Sequence, residues 1–175
     1  MVVDPSNSHL YVLNYGVNPL SSREEACDGE YAGLRGHGCS ISVFTINQES
    51  GSLSAIEGSP FESLGTNPLE CVMDSAGRYL FVADVGSGDV SVYAVDQRTG
   101  VLRPAAGSPF ATGKQPVGIA LDWSDEYLYV TSERGRNIDQ LEIAENGQLT
   151  RIGKPIPAGV GTLAIASERG TPKIQ

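Results

Sequence analysis

The sequence has few of the residues on which common catalytic and membrane-spanning proteins depend. Its 175 residues include only 2 His, 3 Cys and 1 Trp. No stretch approaches the roughly 18 consecutive apolar residues of a membrane-spanning helix, and no Gly-x-Ser-x-Gly, His-Glu-x-x-His or phosphate-loop motif occurs. These absences exclude a membrane span of that kind and leave three common catalytic and nucleotide-binding chemistries without their motifs.

Positive charge is also scarce. The chain has 12 Lys and Arg against 21 Asp and Glu, which gives a net charge of −9 and a pI near 4.6. Proteins that bind nucleic acid need clustered basic side chains to neutralise phosphates, and the basic residues here are dispersed. Nucleic acid is therefore excluded as a general partner, while the acidity also serves solubility.

The chain repeats itself about every 48 residues. Tyr79-Leu80-Phe81-Val82 returns as Tyr127-Leu128-Tyr129-Val130, and Gly58-Ser59-Pro60-Phe61 returns as Gly107-Ser108-Pro109-Phe110. A fixed period of this size is typical of arrays of one supersecondary unit. The predicted units are 1–66, which carries an inserted loop at 15–39, then 67–114, 115–160 and the start of a further unit at 161–175.

Each unit is predicted to contain four short antiparallel strands. In the second unit a buried run at 68–73 and a β-rich run at 79–83 precede the alternating residues 90–95, and a weaker strand follows at 101–105. Four strands in about 48 residues is the size of a propeller blade. The sequence therefore predicts an all-β fold of about three and a half propeller blades. Asp74 and Asp122 are expected to form the turns between the first two strands.

The three cysteines fall into two classes. Cys71 takes the place that Ile119 fills in the next unit, so it is expected to be a small buried hydrophobic residue. Cys27 and Cys39 lie 12 residues apart in the inserted loop, where a disulfide would stabilise the fold by about 3 kcal/mol. Two free thiols are the alternative, while a zinc site is disfavoured because only His37 is near and no Cys-x-x-Cys spacing exists.

The repeat also carries a family resemblance. The pattern P-x-x-(I/C)-x-x-D-x-(S/A)-x-x-Y-L-(F/Y)-V, followed by an alternating strand, T-G-x-L and G-S-P-F, resembles the lactonase-like β-propellers. These are the seven-bladed 6-phosphogluconolactonase type and the related YVTN-repeat propellers. Residues 11–16, Y-V-L-N-Y-G, are similar to the family's Y-V-A-N-Y-G, and residues 129–132 are similar to its Y-V-T-N.

The resemblance implies a ligand at the mouth of the central channel and metal-independent lactone hydrolysis without a cofactor. Such lactonases often carry His or Arg soon after the first-strand Pro, whereas this chain has Leu69, Glu70, Val117 and Gly118 there. Loops between strands two and three and between successive units should share the mouth face. The candidate ligand-binding residues on it are Asn14, Arg35, His37, Asp84, Asp89, Glu133, Arg134 and Arg136.

Three of these candidate residues have a structural alternative. Asn14 and Asp84 occupy the same place as Ser132, at the end of strand two, where a polar residue binds a ligand or caps a turn. The two carboxylates of Asp84 and Asp89 can hold calcium, but a glycine-rich hairpin with Asp at both ends explains the same residues. We therefore predict no metal site.

Three functions fit these observations. The leading hypothesis is a lactonase-like propeller segment that acts as a binding or scaffold module and is non-catalytic on its own. The alternatives are a metal-independent lactonase acting on a sugar lactone, and a carbohydrate-binding propeller that stacks sugars on aromatic side chains. Because propellers close with about 4 to 8 blades, we also expect self-association to complete the ring. A disulfide would imply an extracytoplasmic or secreted protein, and a cytoplasmic location stays open.

Overall fold

The described part of the chain is built from short antiparallel strands. The computed structural model describes residues 1–16, 27, 30–31, 34–35 and 39–159, and its ordered elements there are seventeen strands. The strands are β1 Val2–Val3, β2 His9–Asn14, β3 Glu30–Tyr31, β4 Leu34–Arg35, β5 Ser40–Ile46, β6 Leu53–Ala55, β7 Phe61–Glu62, β8 Pro68–Met73, β9 Tyr79–Asp84, β10 Asp89–Val95, β11 Leu102–Pro104, β12 Phe110–Ala111, β13 Pro116–Leu121, β14 Tyr127–Ser132, β15 Asn137–Ile143, β16 Leu149–Arg151 and β17 Ile156–Pro157. The all-β class is confirmed.

Three sheets repeat one topology. Blade 1 has the order β1-β2-β5-β6, blade 2 has β8-β9-β10-β11, and blade 3 has β13-β14-β15-β16. In each blade a two-residue strand (β7, β12 or β17) also pairs with the other end of the third strand. The inserted loop adds only the hairpin β3-β4 among its described residues. The predicted blades of four antiparallel strands are therefore present, and residues 161–175, where a further unit is predicted, lie outside the described residues.

The register defines which positions correspond between blades. The second and third strands pair Leu10 with Phe44 in blade 1, Leu80 with Tyr93 in blade 2, and Leu128 with Leu141 in blade 3. Counting from these pairs assigns every residue of one blade to its equivalents in the others. The 48-residue period of the sequence is therefore a repeat of side-chain position as well as of strand order.

The core lies between the blades. One apolar cluster joins blade 1 to blade 2, with Tyr11 and Val43 packed against Leu80 and Val82. A second joins blade 2 to blade 3, for example through Phe81. Because successive strand residues point to opposite faces of a sheet, blade 2 uses one set of side chains toward each neighbour. Each blade is thus stabilised mainly by the blades beside it.

The aspartate after the first strand forms the turn that the sequence predicts. Asp74 Oδ1 accepts hydrogen bonds from the backbone amides of Arg78 (2.6 Å) and Tyr79 (2.9 Å). Asp122 Oδ1 accepts one from the Tyr127 amide (3.0 Å). These bonds satisfy amides that the turn would otherwise leave unpaired.

The repeated Gly-Ser-Pro-Phe segment fastens the blade exit to the third strand. The Ser59 hydroxyl accepts a hydrogen bond from the Val43 amide (2.9 Å), and Ser108 accepts one from the Val92 amide (2.8 Å). The Ser–Pro peptide bond is cis in both segments. The serine thereby satisfies a third-strand amide beyond the end of the short fourth strand.

One prediction about the core needs correction. Cys71 is half-buried rather than fully buried, and it packs against the cluster between blades 1 and 2. Burial raises the pKa of its thiol. In the described residues, no helix has the length and apolar character needed to cross a bilayer.

Candidate functional site

The ends of the second strands and the starts of the first strands lie on one face of the blades. Pro68 pairs with Asp84, and Pro116 pairs with Ser132. The second-to-third strand turns and the connectors between blades therefore meet there. We call this surface the mouth face and define it by the turns 84–89 and 132–137, the connectors 63–67 and 111–115, and residues 14–16. It is the face on which the sequence places its candidate residues.

In blade 1 the predicted residue Asn14 links two strands. Its side-chain amide donates hydrogen bonds to the hydroxyls of Ser40 and Ser42, both at 2.9 Å. Asn14 is half-buried, and Ser40 is buried. The amide therefore cross-links the end of β2 to the start of β5.

In blade 2 the equivalent residue, Asp84, is fully buried. Ser91 donates to its Oδ2 (2.5 Å) and Ser63 donates to its Oδ1 (3.3 Å). Burial and, to a smaller extent, the charge of Asp89 raise the pKa of the Asp84 carboxyl to about 8, against the lowering effect of the serine bonds. At neutral pH Asp84 is therefore mainly protonated.

Asp89 faces Asp84 directly across the hairpin. Its Oδ1 accepts a hydrogen bond from the Ser87 hydroxyl (2.9 Å). Burial raises the pKa of Asp89 as well, and its hydrogen bonds with Ser87 and Asp84 oppose that rise. Each carboxyl therefore affects the titration of the other, within the glycine-rich hairpin that the sequence predicts as the alternative to calcium.

Blade 3 keeps a buried carboxylate but neutralises it differently. Asp139, at the position of Ser91, is fully buried and forms an ion pair with the guanidinium of Arg151. The Gly113 amide donates to its Oδ2 (2.9 Å). The blade 2 position equivalent to Arg151 holds Pro104. A proton in blade 2 and an arginine in blade 3 thus remove the cost of a buried negative charge.

A glycine allows the connector to approach each polar cluster. A Cβ built on Gly65 would overlap the carboxyl of Asp84, and one on Gly113 would lie 2.5 Å from the Ser132 hydroxyl oxygen. Only glycine leaves room for the backbone here. The connectors are therefore packed directly on the candidate residues and cover them from solvent.

The inserted loop is joined to this face by a disulfide. Cys27 and Cys39, the pair that the sequence offers for a disulfide, are bonded, with Cα atoms 4.9 Å apart. The Asn67 amide donates to Cys39 Sγ (3.3 Å), and the Ser63 amide donates to the Cys39 carbonyl (2.8 Å). The loop is thereby fastened to the connector that covers Asp84.

The remaining predicted residues lie at the surface or outside the described side chains. Arg134 is exposed and Glu133 is half-buried in the turn between β14 and β15. Arg35 lies in the hairpin strand β4, but its side chain, like the whole of His37, lies outside the described part of the chain. The structure therefore brings Asp84 and Asp89 together and holds Asn14 and Arg134 in different blades.

Lys114 is a basic residue of the mouth face that the sequence reading missed. It is exposed, as are Arg134 and Arg136, and the Gly135 amide donates to its carbonyl (3.0 Å). The connector of blade 3 and the hydrogen-bonded turn beside it thus carry three exposed basic residues. The sequence signal that could have identified Lys114 is its position two residues before Pro116, where a first strand begins.

The opposite face carries different polar groups. His9 Nδ1 lies 3.1 Å from Asp4 Oδ2, and both residues are buried. A cleft of about 450 Å³ lies between the turns of blades 2 and 3, lined in part by Tyr79 and Glu145. Trp123, whose indole ring is of the kind that stacks on sugars, is 78% exposed on a turn of this face. It is therefore separated from the mouth-face candidates.

These blades define a β-propeller of the lactonase type. Residues 1–111 match the family described as "Lactonase, 7-bladed beta-propeller". The chain belongs to this family, as its resemblance to lactonase-like propellers predicts. No curated protein matches the sequence significantly.

Solved structures agree on the fold. A Lactobacillus plantarum protein superimposes with a TM-score of 0.73 at 13% identity, over 93% of this chain and 42% of its own. A Bacteroides uniformis protein provisionally named a 6-phosphogluconolactonase gives 0.68 at 15% identity, over 90% and 39%. The periplasmic gluconolactonase of Pseudomonas aeruginosa gives 0.61 at 17% identity, over 69% and 34%. The chain spans less than half the length of each.

Proposed function

We propose that this chain is a binding and scaffold segment of a lactonase-type propeller and is non-catalytic on its own. The observation that carries the proposal is the internal use of the polar residues at the strand ends. These residues bond to partners within the blades: Asn14 and Asp84 to serines, and Asp139 to a glycine amide and an arginine. These bonds fix the hairpins and connectors that present the surface residues.

The surface residues favour an anionic ligand. Lys114, Arg134 and Arg136 are exposed on two hydrogen-bonded segments in a chain whose net charge is −9. Guanidinium groups bind carboxylates and phosphates through charge-assisted, often bidentate hydrogen bonds. Half-buried Glu133 beside them is suited to accept hydrogen bonds from sugar hydroxyls. A sugar acid or sugar phosphate is therefore the ligand class we propose, with Arg35 and His37 as further candidate contacts.

Calorimetry with 6-phosphogluconate tests this ligand. Arg134→Ala should weaken binding by about tenfold or more, because a charge-assisted hydrogen bond contributes about 1.5–3 kcal/mol. Arg98→Ala removes the same charge from an exposed turn on the opposite face and should leave the affinity unchanged. Equal losses in the two variants would indicate nonspecific attraction and would contradict the proposed site.

Lactone hydrolysis is the second candidate, and the family match favours it. Three structural neighbours carry lactonase names. The assay is the hydrolysis of glucono-δ-lactone and its 6-phosphate, measured against the spontaneous rate. A rate above the spontaneous one that His37→Ala abolishes would establish the enzyme and overturn the non-catalytic proposal.

We further propose an extracytoplasmic location. The Cys27–Cys39 disulfide supports it, because such bonds persist mainly in oxidising compartments. One structural neighbour is named as a periplasmic protein. Thiol alkylation and mass spectrometry of the chain from separated cell fractions would test the location. Recovery of the chain in the cytoplasm with both thiols alkylated would contradict it.

A further inference from the structure

Blade 1 exposes an apolar position that blades 2 and 3 bury. Leu53 pairs with Ile46 at the start of the fourth strand, and its equivalents are Leu102 and Leu149. Leu53 is 49% exposed, whereas Leu102 is 6% and Leu149 is 5% exposed. The two buried leucines pack against the preceding blade. Leu53 therefore lies on a face that a preceding blade would cover.

The first strand of each blade shows the same difference in side-chain exposure. Val3 pairs with Leu10 and corresponds to Met73 and Leu121. Val3 is 42% exposed, whereas Met73 is 4% and Leu121 is 3% exposed. Both ends of the blade 1 sheet thus expose apolar side chains on the side where blades 2 and 3 pack against a preceding blade. We call this surface, defined by Val3, Leu10 and Leu53, the open face.

The contacts of a turn glycine show independently that the blade 1 position is less covered than its equivalents. Gly100 of blade 2 packs on the His9 ring of blade 1, and Gly147 of blade 3 packs on the Tyr79 ring of blade 2. Gly51 is the equivalent residue of blade 1, and a Cβ built on it meets nothing within 4 Å. Each covered glycine lies on the first residue of the preceding blade's second strand. Gly51 lacks such a ring among the described residues.

Blade 3 offers the rings that this open face lacks. Tyr127 is the equivalent of His9 and Tyr79, and Tyr129 is the equivalent of Phe81. Phe81 is fully buried between blades 2 and 3, while Tyr127 and Tyr129 are half-buried. The surface that blade 2 uses to receive the next blade therefore recurs, less covered, on blade 3.

We propose that a second copy of this chain docks its blade 3 on the open face of blade 1, head to tail. The contact would continue the blade-to-blade interface already present twice within the chain, with the same side-chain positions. A head-to-tail contact closes into a ring when its rotation allows. Two copies supply six of the described four-stranded sheets, and the partial units predicted at 161–175 add to them, within the range of about 4 to 8 blades in which propellers close. The proposal stands independently of the ligand.

Light scattering coupled to size exclusion tests the pairing. The expected mass is twice the 18.5 kDa of one chain. Leu53→Glu should weaken the dimer by at least about tenfold, because it buries a carboxylate in an apolar interface. Leu69→Glu is the matched control, since Leu69 is 46% exposed at the irregular start of β8, and it should leave the dimer intact. A wild-type mass of one chain would overturn the proposal and indicate that other residues cover the face.

Mixing two variants tests the head-to-tail arrangement. Leu53→Glu damages the open face, and Tyr129→Glu damages the blade 3 face, so each alone should be monomeric. A mixture retains one undamaged junction and should recover the dimer mass. A Tyr129→Glu protein that stays dimeric would contradict the arrangement, as would a mixture that stays monomeric. Circular dichroism of each variant checks that the blades are folded before the masses are compared.

Discussion

Replacing Gly147 by alanine should test whether turn glycines act as contacts between blades. Gly147 has a φ of +79°, and a Cβ on it would lie 2.6 Å from Cε1 and 2.8 Å from Cδ1 of Tyr79. The ring is held in place, because the Tyr79 hydroxyl donates a 2.9 Å hydrogen bond to the Glu145 carbonyl. An added methyl group therefore meets a ring that cannot move without losing that bond.

The expected loss of stability has separable parts. An alanine in the left-handed region costs about 1–2 kcal/mol. Overpacking against the ring adds about 1–3 kcal/mol, so Gly147→Ala should lower the free energy of unfolding by about 2–5 kcal/mol. Gly153→Ala is the matched control, since Gly153 has a φ of +62° and open space at its Cβ. It should cost only the backbone strain, about 1–2 kcal/mol.

Urea unfolding of the wild type and both variants measures these differences. The slope with urea should stay the same, so that a shifted midpoint reports stability alone. Tyr79→Ala combined with Gly147→Ala should recover the overpacking cost, because the overlap disappears with the ring. Equal costs for the two glycine substitutions, or no coupling between Gly147 and Tyr79, would refute the idea that the glycine forms a rigid contact between blades.

Three further predictions concern the mouth face. Folded Asp84 keeps a proton that an unfolded carboxyl releases, so the free energy of unfolding should fall as the pH rises from about 4 to about 8. Asp84→Asn should flatten that decline in urea titrations across this range. Arg151→Met leaves the Asp139 carboxylate buried without its arginine, and thermal unfolding should show a loss of about 3–5 kcal/mol in stability. The control Arg103→Met, at an exposed position, should change stability by less than about 0.5 kcal/mol. Reduction of Cys27–Cys39 should cost about 3 kcal/mol, measured by unfolding with and without reductant.

The sequence predicted the architecture because blade packing repeats its side-chain positions. Leu80 and Leu128 recur with the period of the blades and fill the same place against the preceding blade. The Gly-Ser-Pro-Phe repeat was visible as well. The hydrogen bonds of Ser59 and Ser108 with third-strand amides could not be predicted, because those amides lie 16 residues away in sequence and come close only in the folded blade.

The candidate site was predicted only in part. The equivalence of Asn14, Asp84 and Ser132 followed from the repeat, and all three lie at the mouth face as expected. The hydrogen bonds of Asn14 and Asp84 with serines inside the blades did not follow, because those serines lie 7 to 28 residues away. The connectors that cover Asp84 and Ser132 did not follow either, because their close approach depends on Gly65 and Gly113. A polar residue at a strand end looks the same in sequence whether a ligand or a connector meets it.

The two ways of neutralising a buried carboxyl give the blades different responses to pH. The ion pair of Asp139 with Arg151 persists through the neutral range, because a guanidinium keeps its proton. Asp84 has only a proton for that purpose, and a pKa of about 8 places its loss at mildly alkaline pH. Ser63 bonds both to Asp84 and, through its amide, to Cys39. We therefore expect ionisation of Asp84 to act on the connector that fastens the disulfide-bonded loop, so that blade 2 should be the pH-sensitive part of the mouth face.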